Sequence, residues 1–89
     1  MNDAHYIKAS MQPIQFLQMF LSKEAFIGFL IGNAVKYKAR RDYKGSYEAD
    51  TAKMRTYAYW KYLVETEDKI IDPVKDIPSD DWEMPPLLN

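Results

Sequence analysis

Residues 32–41 read Gly32-Asn33-Ala34-Val35-Lys36-Tyr37-Lys38-Ala39-Arg40-Arg41. Read as a helix, the stretch places Asn33, Lys36, Tyr37 and Arg40 at i, i+3, i+4 and i+7, on one face. An amide, an ammonium, a phenol and a guanidinium make an unusual stripe to bury for packing alone. Together they offer several donors and two fixed positive charges to an anion or a phosphate, with a ring beside them for stacking. The plain alternative is a buried network that fixes a helix pair, with Asn33 and Arg40 satisfying loop carbonyls and Asp50 pairing with Lys36 or Arg40.

Upstream, the same helix extends back to Lys23, where Ser22 can cap the first turn. Phe26, Phe29, Leu30, Val35 and Tyr37 are apolar on more than one side, so this central helix packs against more than one neighbour. Gly28 and Gly32 lie one turn apart and cost about 1 kcal/mol each relative to Ala, which points to close helix packing or to backbone approach by a ligand. Before it, Pro13 suits the first turn of a helix, and Ile14, Leu17, Phe20 and Leu21 recur at helical spacing. That gives a short helix of about two turns, then a kink near Leu21 to Lys23. Residues 1–10 read as an arm with one distinctive pair, His5-Tyr6. His5 has no second ligand of its kind, so no metal site is expected.

Downstream, Asp42 to Glu48 forms a loop in which Gly45 permits a turn. Lys44-Gly45-Ser46 lacks the G-x-x-x-x-G-K-[ST] pattern and its preceding strand, which excludes a Walker-type phosphate loop. A third helix runs from Glu48 or Ala49 to Thr66. Met54, Tyr57, Ala58, Lys61 and Val64 form one stripe, and Tyr59, Tyr62 and Leu63 add apolar area elsewhere. Such wide coverage fits a helix wedged between its own domain and a second subunit. Asp50, Lys53 and Tyr57 share a face, where an intrahelical Asp50 to Lys53 pair is the plain alternative to a site.

After Glu67, four prolines exclude a long helix. Residues 1–66 carry ten Lys/Arg against six Asp/Glu, whereas residues 67–89 carry two against seven. A basic body therefore precedes an acidic tail, and anions are drawn to the segment from Lys36 to Lys61. Trp82 among acids in that tail reads as a docking element, for the basic body or for another protein, and the plain alternative is a merely solvated tail. The chain has 89 residues and no cysteine, so disulfides and thiolate metal sites are excluded. No signal peptide or membrane span is read, and a soluble protein is expected.

These readings give an all-α fold: two main antiparallel helices, a short N-terminal helix across them and an irregular acidic C-terminal tail. Residues 1–66 form the helical domain and 67–89 the tail. Three helices of this size leave apolar faces over, so a homodimer or a higher homo-oligomer is expected, with the third helix at the interface and the second a further candidate for it.

The order of the short motifs resembles a family of small phage-encoded domains labelled SaV-like. The matching pieces are His5-Tyr6, Gln12-Pro13-Ile14-Gln15-Phe16, Gly32-Asn33, Lys36-Tyr37, Arg40, Lys44-Gly45, and Asp50, Lys53 and Tyr57. The similarity spans residues 5–65; Thr51, Met54 and Tyr47 depart from the pattern, and the tail lies outside it. Some larger phage proteins that contain such a domain are deoxynucleoside monophosphate kinases, so the resemblance implies a nucleotide link and a place in the host cytoplasm.

Two functional readings follow. In the first, His5, Asn33, Lys36, Tyr37, Arg40, Lys44, Asp50 and Lys53 bind a nucleotide or another phosphate ligand; any phosphoryl transfer would need Mg²⁺. In that reading Lys36, Arg40 and Lys44 neutralise phosphate, while Asn33 and Tyr37 hold a base or sugar. His5 orients an acceptor, and Asp50 holds the metal or positions Lys53. No motif singles out a catalytic residue. In the second, a non-enzymatic phage accessory protein binds a host protein through its aromatic helices and Trp82. Nucleic acid is the lesser partner, because the chain's pI is about 5.7 and the acidic tail competes for the same charge.

Overall fold

The computed structural model describes residues 12–43 and 46–87. His5 and Lys44 lie outside them. The described residues form three α-helices and no strand: α1, Pro13–Phe20; α2, Lys23–Arg41; and α3, Tyr47–Glu67. The chain is all-α.

Local chemistry sets each boundary. Pro13 opens α1, and the Gln15 side chain reaches back to accept from the Gln12 amide at 2.9 Å. Ser22 caps α2, its hydroxyl accepting from the Ala25 amide at 3.1 Å. Ser46 does the same for α3 through Ala49 at 3.2 Å. α3 therefore begins at Tyr47, slightly earlier than periodicity alone predicts, because the capping serine sits inside the apparent loop. At its far end Asp68 adopts a left-handed conformation with φ 51°, and the Lys69 amide bonds back to the Leu63 carbonyl at 3.4 Å.

The helix pair α2–α3 carries the fold. Contacts run in opposite order along the two helices: Arg40 meets Asp50, and Tyr37 and Phe29 both meet Tyr57. Ile14 of α1, Phe26 and Leu30 of α2, and Trp60, Leu63 and Val64 of α3 make the buried cluster. Ile71, from beyond α3, completes it at 2% exposure.

Residues 68–87 contain no helix or strand, yet their backbone is held by side chains of the helices. Gln18 of α1 clamps Ile71 from both sides, donating to its carbonyl at 3.0 Å and accepting from its amide at 2.7 Å. The Trp60 indole donates to the Asp76 carbonyl at 2.6 Å, Arg55 to the carbonyls of Ser79 and Trp82, and Lys61 to that of Leu87. Backbone carbonyls, rather than the tail's carboxylates, are what these basic groups grip.

The two glycines of α2 behave differently from the expectation. A Cβ placed on Gly28 or Gly32 meets nothing within 4 Å. Among the described residues neither position is a close contact, because both lie on the side of α2 turned away from the core.

Replacing Ile71 with Ala removes a nearly inaccessible side chain from the cluster and should destabilise the protein by roughly 2–5 kcal/mol in urea denaturation. A loss under about 1 kcal/mol would show that the tail contributes little to the core.

Candidate functional site

Tyr37 and Tyr57 face one another across the helix pair, their rings nearly parallel with centroids 5.9 Å apart and planes 10° from parallel. Phe29 and Trp60 meet Tyr57 edge-on at 6.3 and 5.4 Å. The rings are thus fixed by α2 and α3 together, and offset and edge-on geometries of this kind are the favoured ones.

Three cations converge on the Tyr37 ring. Lys36 Nζ lies 4.6 Å from its centroid, Lys53 Nζ 5.3 Å and the Arg40 guanidinium carbon 5.9 Å. Lys36 is the helix neighbour of Tyr37 and does not share its direction, so its flexible stem bends over the ring. Lys53 arrives from α3. Neither lysine is paired with a carboxylate among the described residues. Their present partner is a ring quadrupole worth about 0.5–1 kcal/mol at exposed sites, which a phosphate can outcompete.

Arg40 is held differently. Its Nε lies 3.6 Å from Asp50 Oδ2, with the Asp50 side chain 4% exposed and that of Arg40 51% exposed. Asp50 Oδ2 has no hydrogen-bond partner among the described residues, so the Arg40 ion pair is its side-chain compensation there. A buried carboxylate in the first turns of α3 is favoured by the helix dipole and needs a nearby cation, and it holds the Arg40 stem beside Tyr37.

The expected residues divide as follows. Lys36, Tyr37, Arg40, Asp50 and Lys53 come together. Asn33 shares their helix face, but its amide donates to the Phe29 carbonyl of its own helix at 2.9 Å rather than to a loop. Lys53 turns to Tyr37, so the Asp50 to Lys53 pair does not form. Trp82 is half-buried against α3, edge-on to Tyr59 at 5.1 Å and beneath the Arg55 guanidinium at 5.6 Å. The expected list lacked Thr56, Tyr57 and Trp60, which line the same cleft of about 300 Å³ with Tyr37, Ala52 and Lys53. Their spacing from Lys53, at i+3, i+4 and i+7, is the signal that places them there.

A larger cleft of about 420 Å³ lies toward the other end of the pair, between Met19, Phe26, Val64 and Ile70. Its lysines are already engaged, Lys23 with Asp68 at 3.1 Å and Lys69 with Asp76 at 3.4 Å. The smaller cleft is the better site for an anion, because its one lysine, Lys53, pairs with no carboxylate among the described residues.

The sequence pattern of DUF3310, described as a protein of unknown function, matches residues 2–59, well over half of the chain. The chain belongs to the DUF3310 family. The match contains all of α1 and α2, and α3 as far as Tyr59, so Lys36, Tyr37, Arg40, Asp50, Lys53 and Tyr57 fall within the DUF3310 region. Trp60, Trp82 and the tail fall outside it. No curated protein and no solved structure matches the chain. Among the described residues of this DUF3310 protein, no helix is long and apolar enough to cross a membrane.

Burial, and after it the Tyr37 phenol, raise the Tyr57 hydroxyl above its ordinary value of 10.0. Tyr57 therefore stays neutral throughout the physiological range. The unfolded chain ionises first, so the stabilisation is whole below pH 10.0 and is lost as pH rises through the folded-state value. Urea melts on either side of that pH should show the decline, and Tyr57→Phe should make it shallower. An equally steep decline in the variant would assign the alkaline sensitivity to other groups.

Proposed function

We propose that this protein binds a nucleotide or a related phosphate compound at the Tyr37 cluster. The observation that carries the reading is the convergence of Lys36, Lys53 and Arg40 on one ring stacked between the two main helices. Among the described residues Lys36 and Lys53 have no carboxylate to leave, and a phosphate oxygen accepts charge-assisted hydrogen bonds from both more strongly than a ring face does. Arg40 adds a guanidinium whose planar fork suits phosphate, anchored by Asp50. The aromatic wall of Tyr37, Tyr57 and Trp60 supplies a surface on which a base can lie.

The likeness of residues 5–65 to SaV-like phage domains adds support, because some larger phage proteins with such a domain are deoxynucleoside monophosphate kinases. On that basis the ligand class is a deoxynucleotide and the setting is the cytoplasm of a phage host. Phosphoryl transfer would in addition require Mg²⁺ and a second nucleotide placed in line with the first. The Tyr37 cluster accounts for charge neutralisation and binding, which are the parts assigned to it here.

Isothermal titration of the full chain with deoxynucleoside mono- and triphosphates tests the proposal. Binding should weaken as salt rises. Lys53→Ala should weaken it about tenfold, the loss of one charge-assisted hydrogen bond, while Lys75→Ala, in the tail, should leave it unchanged. No heat at millimolar ligand, or an equal loss in both variants, would overturn the reading.

A further inference from the structure

The side of α2 opposite the core is apolar from end to end. Ala25, Gly28, Gly32, Val35 and Ala39 follow one another at alternating spacings of three and four residues, and all five are exposed, Val35 at 44%. A helix that borders water on one side normally carries polar residues there. Here the outward stripe has none. The glycines sharpen the point: each weakens the helix by about 1 kcal/mol relative to Ala, and nothing among the described residues approaches either one closely enough to need it.

The two edges of the stripe say what covers it. One edge is formed by Glu24, Ile31 and Lys38, at i, i+7 and i+14, an acid, an apolar residue and a base. Glu24 and Lys38 are exposed and enter no ion pair among the described residues. Read backwards, that edge is its own electrostatic complement. A two-fold copy running in the same direction would set this edge against the other edge of the stripe, bringing Lys38 near Lys36 and leaving Glu24 without a base; a copy running in the opposite direction sets this edge against itself, each acid against a base.

We propose that this face of α2 docks against the same face of a second copy of the chain, antiparallel, across a two-fold axis passing close to Gly32. A two-fold interface uses one self-complementary patch on both subunits, and this patch meets that condition in a single register. With Gly32 at the axis, Val35 of each copy lies over Gly28 of the other, Ala25 lies beside Ala39, and Ile31 meets its own counterpart. Glu24 faces Lys38 of the second copy on that edge, and Phe29 lies beside Lys36 of the second copy on the other. The branched Val35 and the bare backbone at Gly28 form a projection and a hollow that a two-fold rotation exchanges. The glycines have their use there, letting two backbones approach.

Sedimentation equilibrium of the full chain should show a dimer, and Gly32→Glu should yield a monomer with undiminished helical circular dichroism, because the position is open within one chain. Glu24→Lys and Lys38→Glu should each weaken the dimer about fivefold, and the double variant should recover most of the loss. The chain has no cysteine, so single cysteines report the register. Gly32→Cys should cross-link to itself under mild oxidation. Ala39→Cys should not do so alone, but should cross-link when mixed with Ala25→Cys. A monomer at high micromolar concentration, a dimer insensitive to Gly32→Glu, or efficient self-cross-linking of Ala39→Cys would each overturn the proposal.

Discussion

Tyr57 is the constraint on which the structure turns. Its ring is stacked on Tyr37, touched edge-on by Phe29 and Trp60, and buried enough to raise its hydroxyl's pKa. Each of these contacts adds the preference of aromatic pairs to plain burial of apolar area. The four rings fix the rotation of α2 against α3, because a helix turned by one residue would swing its rings about 100° away. Once that rotation is set, Lys36, Arg40 and Lys53 have no choice but to gather at the rim of the stack.

Most of the fold was legible because it rests on local chemistry. Ser22 before an apolar-periodic run, Pro13 at a first turn and prolines after Glu67 each act within a few residues, and the helices begin and end where those signals stand. What escaped was the path of residues 68–87. Gln18 binds the Ile71 backbone at a separation of 53 residues, and Trp60 and Arg55 reach carbonyls rather than side chains. Backbone carbonyls are identical in every residue, so no composition or spacing marks which of them a distant side chain will take. Burial of Ile71 is likewise invisible in a stretch that has no period.

The candidate site was half legible for a related reason. Spacing places Asn33, Lys36, Tyr37 and Arg40 on one face, and that arc of α2 does exist. Spacing does not say which groups turn back on their own helix. Asn33 satisfies the Phe29 carbonyl, a local bond that competes with any outward role, whereas Lys36 bends across its neighbour to reach the ring. The split between Asp50 and its possible partners was also open in sequence. Burial decided it: the carboxylate is almost wholly covered, and Arg40 rather than Lys53 has the reach from the facing helix.

The acidic tail and the cations around Tyr37 take different partners. Of the basic residues on α3, Arg55 and Lys61 are drawn to tail carbonyls, and Lys61 also pairs with Glu65. Lys53 alone turns toward Tyr37. Asp68, Asp72 and Asp76 of the tail meanwhile engage Lys23, Lys69 and the tail's own amides. Carboxylates that are already bonded compete less for the cations around Tyr37, and salt screens what attraction is left. Three directions of α2 thus carry three different chemistries. One holds the core, one the cationic rings, and the third, bare of polar groups, meets no partner among the described residues.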